Sequence, residues 1–187
     1  MKRLNNVAAM FLFAVLVCVS AARAQDGAPA PQFKPEELEA LVAPIALYPD
    51  ALLAQVLMAS TYPLEIVEAA RWSKANPGLK EQALQDALQK QSWDPSVKSL
   101  AAFPTVLQMM NDKLDMTQKL GDAFLGQQKD VMAAVQRLRA KAQAAGNLKS
   151  GKEQTVASEQ DGNSTIIKIE PTQPDVVYVP SYSTTVV

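Results

Sequence analysis

A residue without an amide proton cannot sit inside an α-helix without losing a backbone hydrogen bond and clashing with the preceding turn. Prolines at positions 35, 44, 49, 63, 77, 95 and 104 divide the stretch before residue 105, so the helices there must be short. Between them the apolar residues recur at helical spacing. Pro35 supplies a first-turn proline with Glu36 and Glu37 behind it, and Leu38, Leu41, Val42 and Ile45 follow as one stripe. The chain is expected to bend at Pro44 and Pro49 and to restart at Asp50, whose carboxylate is expected to cap the helix carrying Leu52, Leu53, Val56 and Leu57. Ser60-Thr61-Tyr62-Pro63 ends that stripe, and Leu64, Val67 and Ala70 begin another that reaches Trp72 and folds back as a helical hairpin.

Asn76-Pro77-Gly78 is a turn signal, followed by an amphipathic helix through Leu79, Ala83, Leu84, Ala87 and Leu88. Asp94-Pro95 opens a short helix through Leu100 with Asp94 as its cap, and Phe103-Pro104 opens another lined by Val106, Leu107, Met110 and Leu114. Asp115, with Gln118 three residues on, has the capping-box spacing and is expected to start a long helix. Gly126 is expected to break that helix in two and Gly146 to stop it in a left-handed turn. Arg137, Arg139 and Lys141 lie near its end, where cations favour the negative pole of the helix dipole.

After Gly146 the composition changes. Thr155-Val156, Thr165–Ile169 and Val176–Val179 are β-prone, Asp161-Gly162 is a hairpin turn signal, and Pro171 and Pro174 belong at strand ends. Val176–Val179 and Thr184–Val187 either pair within this small sheet or present an open edge to a partner strand. The fold class is therefore mainly α: a bundle of six to eight short, proline-punctuated helices over residues 35–146, with a β appendix of two to three strands in residues 147–187.

The amino-terminal residues read as a targeting segment. Lys2 and Arg3 precede an apolar run from Val7 to Val19, and Ala22-Arg23-Ala24 offers small residues where a signal peptidase cuts, so residues 1–24 are expected to be removed. That run is too short for a permanent span. Residues 25–34, Pro-rich and poor in apolar groups, read as a flexible leader. Removal of residues 1–24 takes away Lys2, Arg3 and Arg23 and the single cysteine, Cys18, leaving a mildly acidic protein without a thiol.

Composition narrows the chemistry further. The chain has no histidine, which excludes Ser-His-Asp and Cys-His relays, a His-ligated zinc site and a His-based pH switch. No cofactor is called for. Clustered Lys and Arg of the kind that binds nucleic acid are lacking apart from the three cations near residue 139. Asp112, Asp115 and Asp161-Gly162-Asn163 do not follow the ligand spacing of a calcium loop. Met109, Met110, Met116 and Met132 sit in or beside helical stripes and read as core filling, with copper binding as the alternative.

The string Leu47-Tyr48-Pro49-Asp50-Ala51-Leu52-Leu53-Ala54-Gln55-Val56-Leu57, with Ala59–Glu65 and Ala69-Ala70-Arg71-Trp72 after it, carries a family likeness. It continues through Trp93–Val97, Phe103–Leu107 and Val177-Tyr178-Val179-Pro180. In these segments the chain resembles a bacterial family known as domain of unknown function 3300. The resemblance implies an exported protein of the periplasm or cell envelope of a Gram-negative bacterium, with a helical part ahead of a short β part. It implies no catalytic residues.

Tyr48, Asp50, Gln55, Tyr62, Glu65, Arg71 and Trp72 fall within 25 residues, and turns at Pro49 and Pro63 can bring several of them to one cleft. The alternative is structural: Glu68 pairs with Arg71 across one turn, and Tyr48, Tyr62 and Trp72 fill the core with their polar tips satisfied. Trp93 reads as a buried ring ahead of a helix start, or else as an exposed platform for a sugar or a partner. Two functions follow. The first is a non-enzymatic scaffold or binding module for a protein or cell-wall partner; the second is a hydrolase of an envelope polymer in which Asp50 and Glu65 act as paired carboxyls.

Overall fold

The computed structural model describes residues 32–173, Asn163 excepted, and in them no proline stands in the interior of a helix. Eight helices and one hairpin follow in order: α1 (Pro35–Val42), α2 (Asp50–Ala59), α3 (Pro63–Ala75), α4 (Glu81–Gln89), α5 (Pro95–Leu100), α6 (Pro104–Asp112), α7 (Leu114–Gly126), α8 (Gln128–Ala144), β1 (Gln154–Asp161) and β2 (Ser164–Pro171). Pro35, Pro63, Pro95 and Pro104 each occupy the first helical turn, where a missing amide costs nothing. Asp94 caps α5, accepting from the Ser96 amide at 2.8 Å. The long helix divides at Gly126, after which Gln127 leaves helical geometry and α8 begins. Gly146 ends α8 region with φ +76° and passes its amide to the Gln143 carbonyl.

Several expectations are corrected. Asp50 does not cap α2: Pro49 holds the cap position, Asp50 is the first helical residue, and its carboxylate is directed to another element. Asp115 forms no capping box, because α7 starts one residue earlier at Leu114; Asp115 pairs with Lys119 one turn on. The break between α6 and α7 is held instead by the Thr117 hydroxyl, buried and donating to the Met110 carbonyl at 2.8 Å. The expected α2–α3 hairpin is opened out, since both helices pack against α5 and α7. Phe33, placed in the leader by composition, packs on the core, and Gln127 bonds both its amide (2.7 Å) and its carbonyl (3.2 Å). The segment Val176–Val179 and the last residues lie outside the described residues.

The main core takes residues from all eight helices, α4 giving Leu88, with Val42, Ile45, Val56, Ile66, Val97, Leu107, Met110 and Val135 all fully enclosed. Two of its helices approach closely at Gly121. A Cβ there would lie 2.3 Å from the Ser60 carbonyl oxygen, so α7 can pass the end of α2 only because this residue has no side chain. A smaller cluster, Leu47, Ala142, Leu148, Ile167 and Ile169, seats the hairpin on the helices. The hairpin is antiparallel, with Asp161 opposite Ser164, and Gly162 adopts φ +59° in its turn. β1 carries mostly exposed residues, whereas Ile167 and Ile169 on β2 are buried against the helical layer.

α1 is tied to α8 by charge. Glu39 accepts from Arg137 Nε at 2.6 Å and from Lys141 Nζ at 2.7 Å. The Lys141 bond first, and the Arg137 bond after it, hold this carboxyl below its ordinary value of 4.5. Both cations are well exposed, so the two pairs together contribute no more than about 1 kcal/mol. A carboxyl lowered in the folded state stabilises above its unfolded value, and that contribution disappears as pH falls through the folded one. Urea midpoints should therefore separate wild type from Glu39→Gln at neutral pH and converge as pH falls through the lowered Glu39 value; a gap that widens on acidification would contradict the pairing. Gly121→Ala should cost about 1–3 kcal/mol in the same measurement, against about 0.5 kcal/mol or less for Gly78→Ala, where no atom lies within 4 Å of the added methyl.

Candidate functional site

The candidate residues do not meet in one cleft. The fold sorts them into two places. The first is built around Arg139, which is 1% exposed although it stands among the cations expected at a solvated helix end. A buried guanidinium must have every donor matched, and its planar fork suits several acceptors at once. Its Nε donates to the Ala46 carbonyl at 2.8 Å and one Nη to the Tyr48 carbonyl at 3.0 Å. The other Nη donates to the Asp50 carboxylate at 2.6 Å and to the Ile167 carbonyl at 2.8 Å. The turn through Leu47-Tyr48-Pro49-Asp50 is thus wrapped on one side chain of α8. Tyr48 is buried, which pushes its phenol above its usual value.

The same side chains close one edge of β2. Residues 167 and 169 turn their backbone groups away from β1. Gln136 accepts from the Ile167 amide at 2.8 Å and donates to its carbonyl at 3.2 Å, while Asp50 accepts from the Ile169 amide at 3.4 Å. A strand added to that edge would have to displace Gln136 and Arg139. No sequence pattern marks these residues: Gln136 and Arg139 look like solvent-facing positions of a polar helix, and only the arrival of β2 makes them necessary.

The second place joins α3 to the start of α5. Glu65 accepts from the Asp94 amide at 2.6 Å, and Glu68 accepts from the Trp93 indole N–H at 3.1 Å instead of pairing with Arg71, which is exposed. The Trp72 and Trp93 rings meet edge to face, centroids 5.8 Å apart. Trp93 is 6% exposed, so it has no open face on which a sugar could stack. The Ser96 hydroxyl, donating at 2.5 Å, chiefly lowers the Asp94 carboxyl. Tyr62 lies outside the core, 41% exposed, and the charge of Asp94 beside it raises its phenol. Gln55 is half-buried on α2.

Asp50 and Glu65 are therefore held by different neighbours. Asp50 opens α2 and Glu65 lies in the first turn of α3, one carboxylate engaged by the Arg139 guanidinium and the other by the Asp94 amide. Among the described residues no group of three or more Asp, Glu, His or Cys side chains is arranged to hold a metal ion.

Next to Asp50 a groove of about 420 Å³ opens between α2, the α7–α8 junction and β2. Its walls are Leu53, Leu57, Met58, Phe124, Met132 and Ile166, and Lys168 and Gln136 stand with Asp50 at its polar side. Met58 and Met132 are 48% and 39% exposed. The sequence places Met132 beside an apolar stripe and does not single out Met58; their shared groove appears only once the fold brings residues of α2, α7, α8 and β2 to one lining.

Comparison with known proteins agrees with this architecture in extent. The profile of a family described as protein of unknown function (DUF3300) matches residues 34–187. The uncharacterized protein YacH of Escherichia coli (strain K12) is 44% identical over 183 residues, covering 83% of this chain and 30% of that protein. The chain thus spans about a third of the length of this relative. No solved structure matches.

Arg139→Met should cost about 3–5 kcal/mol in urea denaturation, because it strands the Ala46 and Tyr48 carbonyls and leaves the Asp50 carboxylate without its cation. Asp50→Ala, which removes one partly exposed partner, should cost about 2 kcal/mol. Equal and small losses for both would show that the guanidinium does not organise this junction.

Proposed function

Since this chain belongs to the DUF3300 family, whose description assigns no activity, we propose its role from its surfaces: it is a non-enzymatic binding module of the cell envelope, and the groove beside Asp50 receives an apolar segment of a partner protein. The observation that carries this reading is the groove itself. Large apolar side chains left partly open to water on rigid helices are characteristic of surfaces that bind peptides, and methionines adapt to varied partners. The apolar lining favours a protein segment over a cell-wall glycan, which would call for open aromatic faces and many hydrogen-bonding groups.

Export to the periplasm of a Gram-negative bacterium is part of the proposal and is supported by Lys2-Arg3, the apolar run Val7–Val19 and Ala22-Arg23-Ala24. No helix among the described residues is long and apolar enough to cross a membrane. A role as a carboxylate-dependent hydrolase has less support, because Asp50 is engaged by Arg139 and Glu65 by the Asp94 amide.

A photoactivatable residue placed at Met132 should crosslink a discrete protein in intact cells, whereas the same residue at Gln82, on an exposed part of α4, should not. Mass analysis of the purified protein should find Gln25 at its amino terminus. Equal labelling from both positions would remove the groove from consideration, and a retained leader would remove the export step.

A further inference from the structure

The groove carries a chemical feature that its shape alone does not express. Five methionines lie in the described residues, and they are not equivalent. Met110 is fully enclosed in the main core and Met109 and Met116 are half-buried, whereas Met58 and Met132 are exposed and line one groove, Met58 from α2 and Met132 from α8. The only cysteine, Cys18, falls in the segment expected to be removed, so thioethers are the sulfur that remains. A thioether is oxidised by direct attack of an oxidant on sulfur, and the rate follows the access of that oxidant.

We propose that Met58 and Met132 form a paired oxidation site through which a peroxide switches the groove from apolar to polar; the switch rests on the binding role proposed above. In each step the sulfur lone pair attacks one peroxide oxygen, the O–O bond breaks, and the thioether becomes a sulfoxide as water leaves. Sulfur loses two electrons and the peroxide gains them, with no proton left over. The product places a strongly polar S=O group where Leu57, Phe124 and Ile166 form the surroundings. An apolar segment would then have to cover an acceptor that it cannot satisfy. Met110, behind the core, is spared as long as the protein stays folded.

The test uses the full processed chain and hydrogen peroxide, with peptide mass mapping to follow each methionine and the fluorescence of an apolar dye to follow the groove. Met58 and Met132 should gain oxygen about ten-fold faster than Met110. Dye bound by the reduced protein should be lost several-fold on oxidation, and should be retained after the same treatment in a Met58→Leu, Met132→Leu variant. Ala54→Trp, which fills the groove from α2, should abolish the signal and so assign it to this place. Oxidation of Met110 at the same rate overturns the selective site. Dye that binds the groove and is indifferent to full conversion of both residues overturns the switch while leaving the binding role standing. Dye that never binds the reduced groove removes the binding role and the switch with it.

Discussion

A guanidinium enclosed to 1% exposure would destabilise this fold by several kcal/mol if its donors went unmatched. Arg139 avoids that by drawing in four acceptors from three places: the Ala46–Tyr48 turn, the first residue of α2 and the middle of β2. The arrangement decides more than the position of one side chain. The succession of tight turns after α1 leaves the Ala46 and Tyr48 carbonyls without a backbone donor, and the cation receives both. β2 lies where it does because its Ile167 carbonyl completes the set.

Two glutamines extend the same logic. Gln136 gives and takes one hydrogen bond each with the Ile167 peptide, and Gln127 does the same with the Phe33 peptide. An amide side chain can stand in for a neighbouring strand at one residue, since it offers the same donor and acceptor. The helical layer thereby holds extended backbone at both ends of the described chain without supplying a strand of its own. Each bond contributes only about 1 kcal/mol, but together they leave β2 with one edge closed by side chains and the other paired to β1.

What the sequence discloses follows from how local each cause is. Proline geometry, the Asp94 cap, the helix break at Gly126 and the left-handed Gly146 depend on a few adjacent residues, and they are legible in the chain and present in the fold. Asp50, Glu68 and Arg139 are different. Each has a plausible local use, as a cap, an i,i+3 partner or a dipole complement, and each is taken by a partner 25 or more residues away. Long-range demand overrode local preference because an enclosed indole N–H or guanidinium is costly to leave unpaired, whereas an exposed pair across one helical turn contributes a few tenths of a kcal/mol. Phe33 shows the converse error: a Pro-rich stretch looks unable to order itself, yet a single aromatic ring and one glutamine are enough to dock its end. The site was legible in part. Tyr48 and Pro49 are buried and Asp50 stands at the rim of the groove, but that groove depends on Met58, Phe124 and Met132 coming from elements distant in sequence.

The change in composition after Gly146 looks like a border between two modules, and the hydrogen bonds of Arg139 erase it. One of its acceptors, Ala46, is 93 residues earlier in the chain, while another, Ile167, emerges 28 residues later. A growing polypeptide that has delivered every helix still lacks the carbonyl needed to enclose the guanidinium. Full enclosure of the guanidinium therefore waits on the hairpin, and a truncation made at the apparent border would leave an interior charge short of one of its four acceptors.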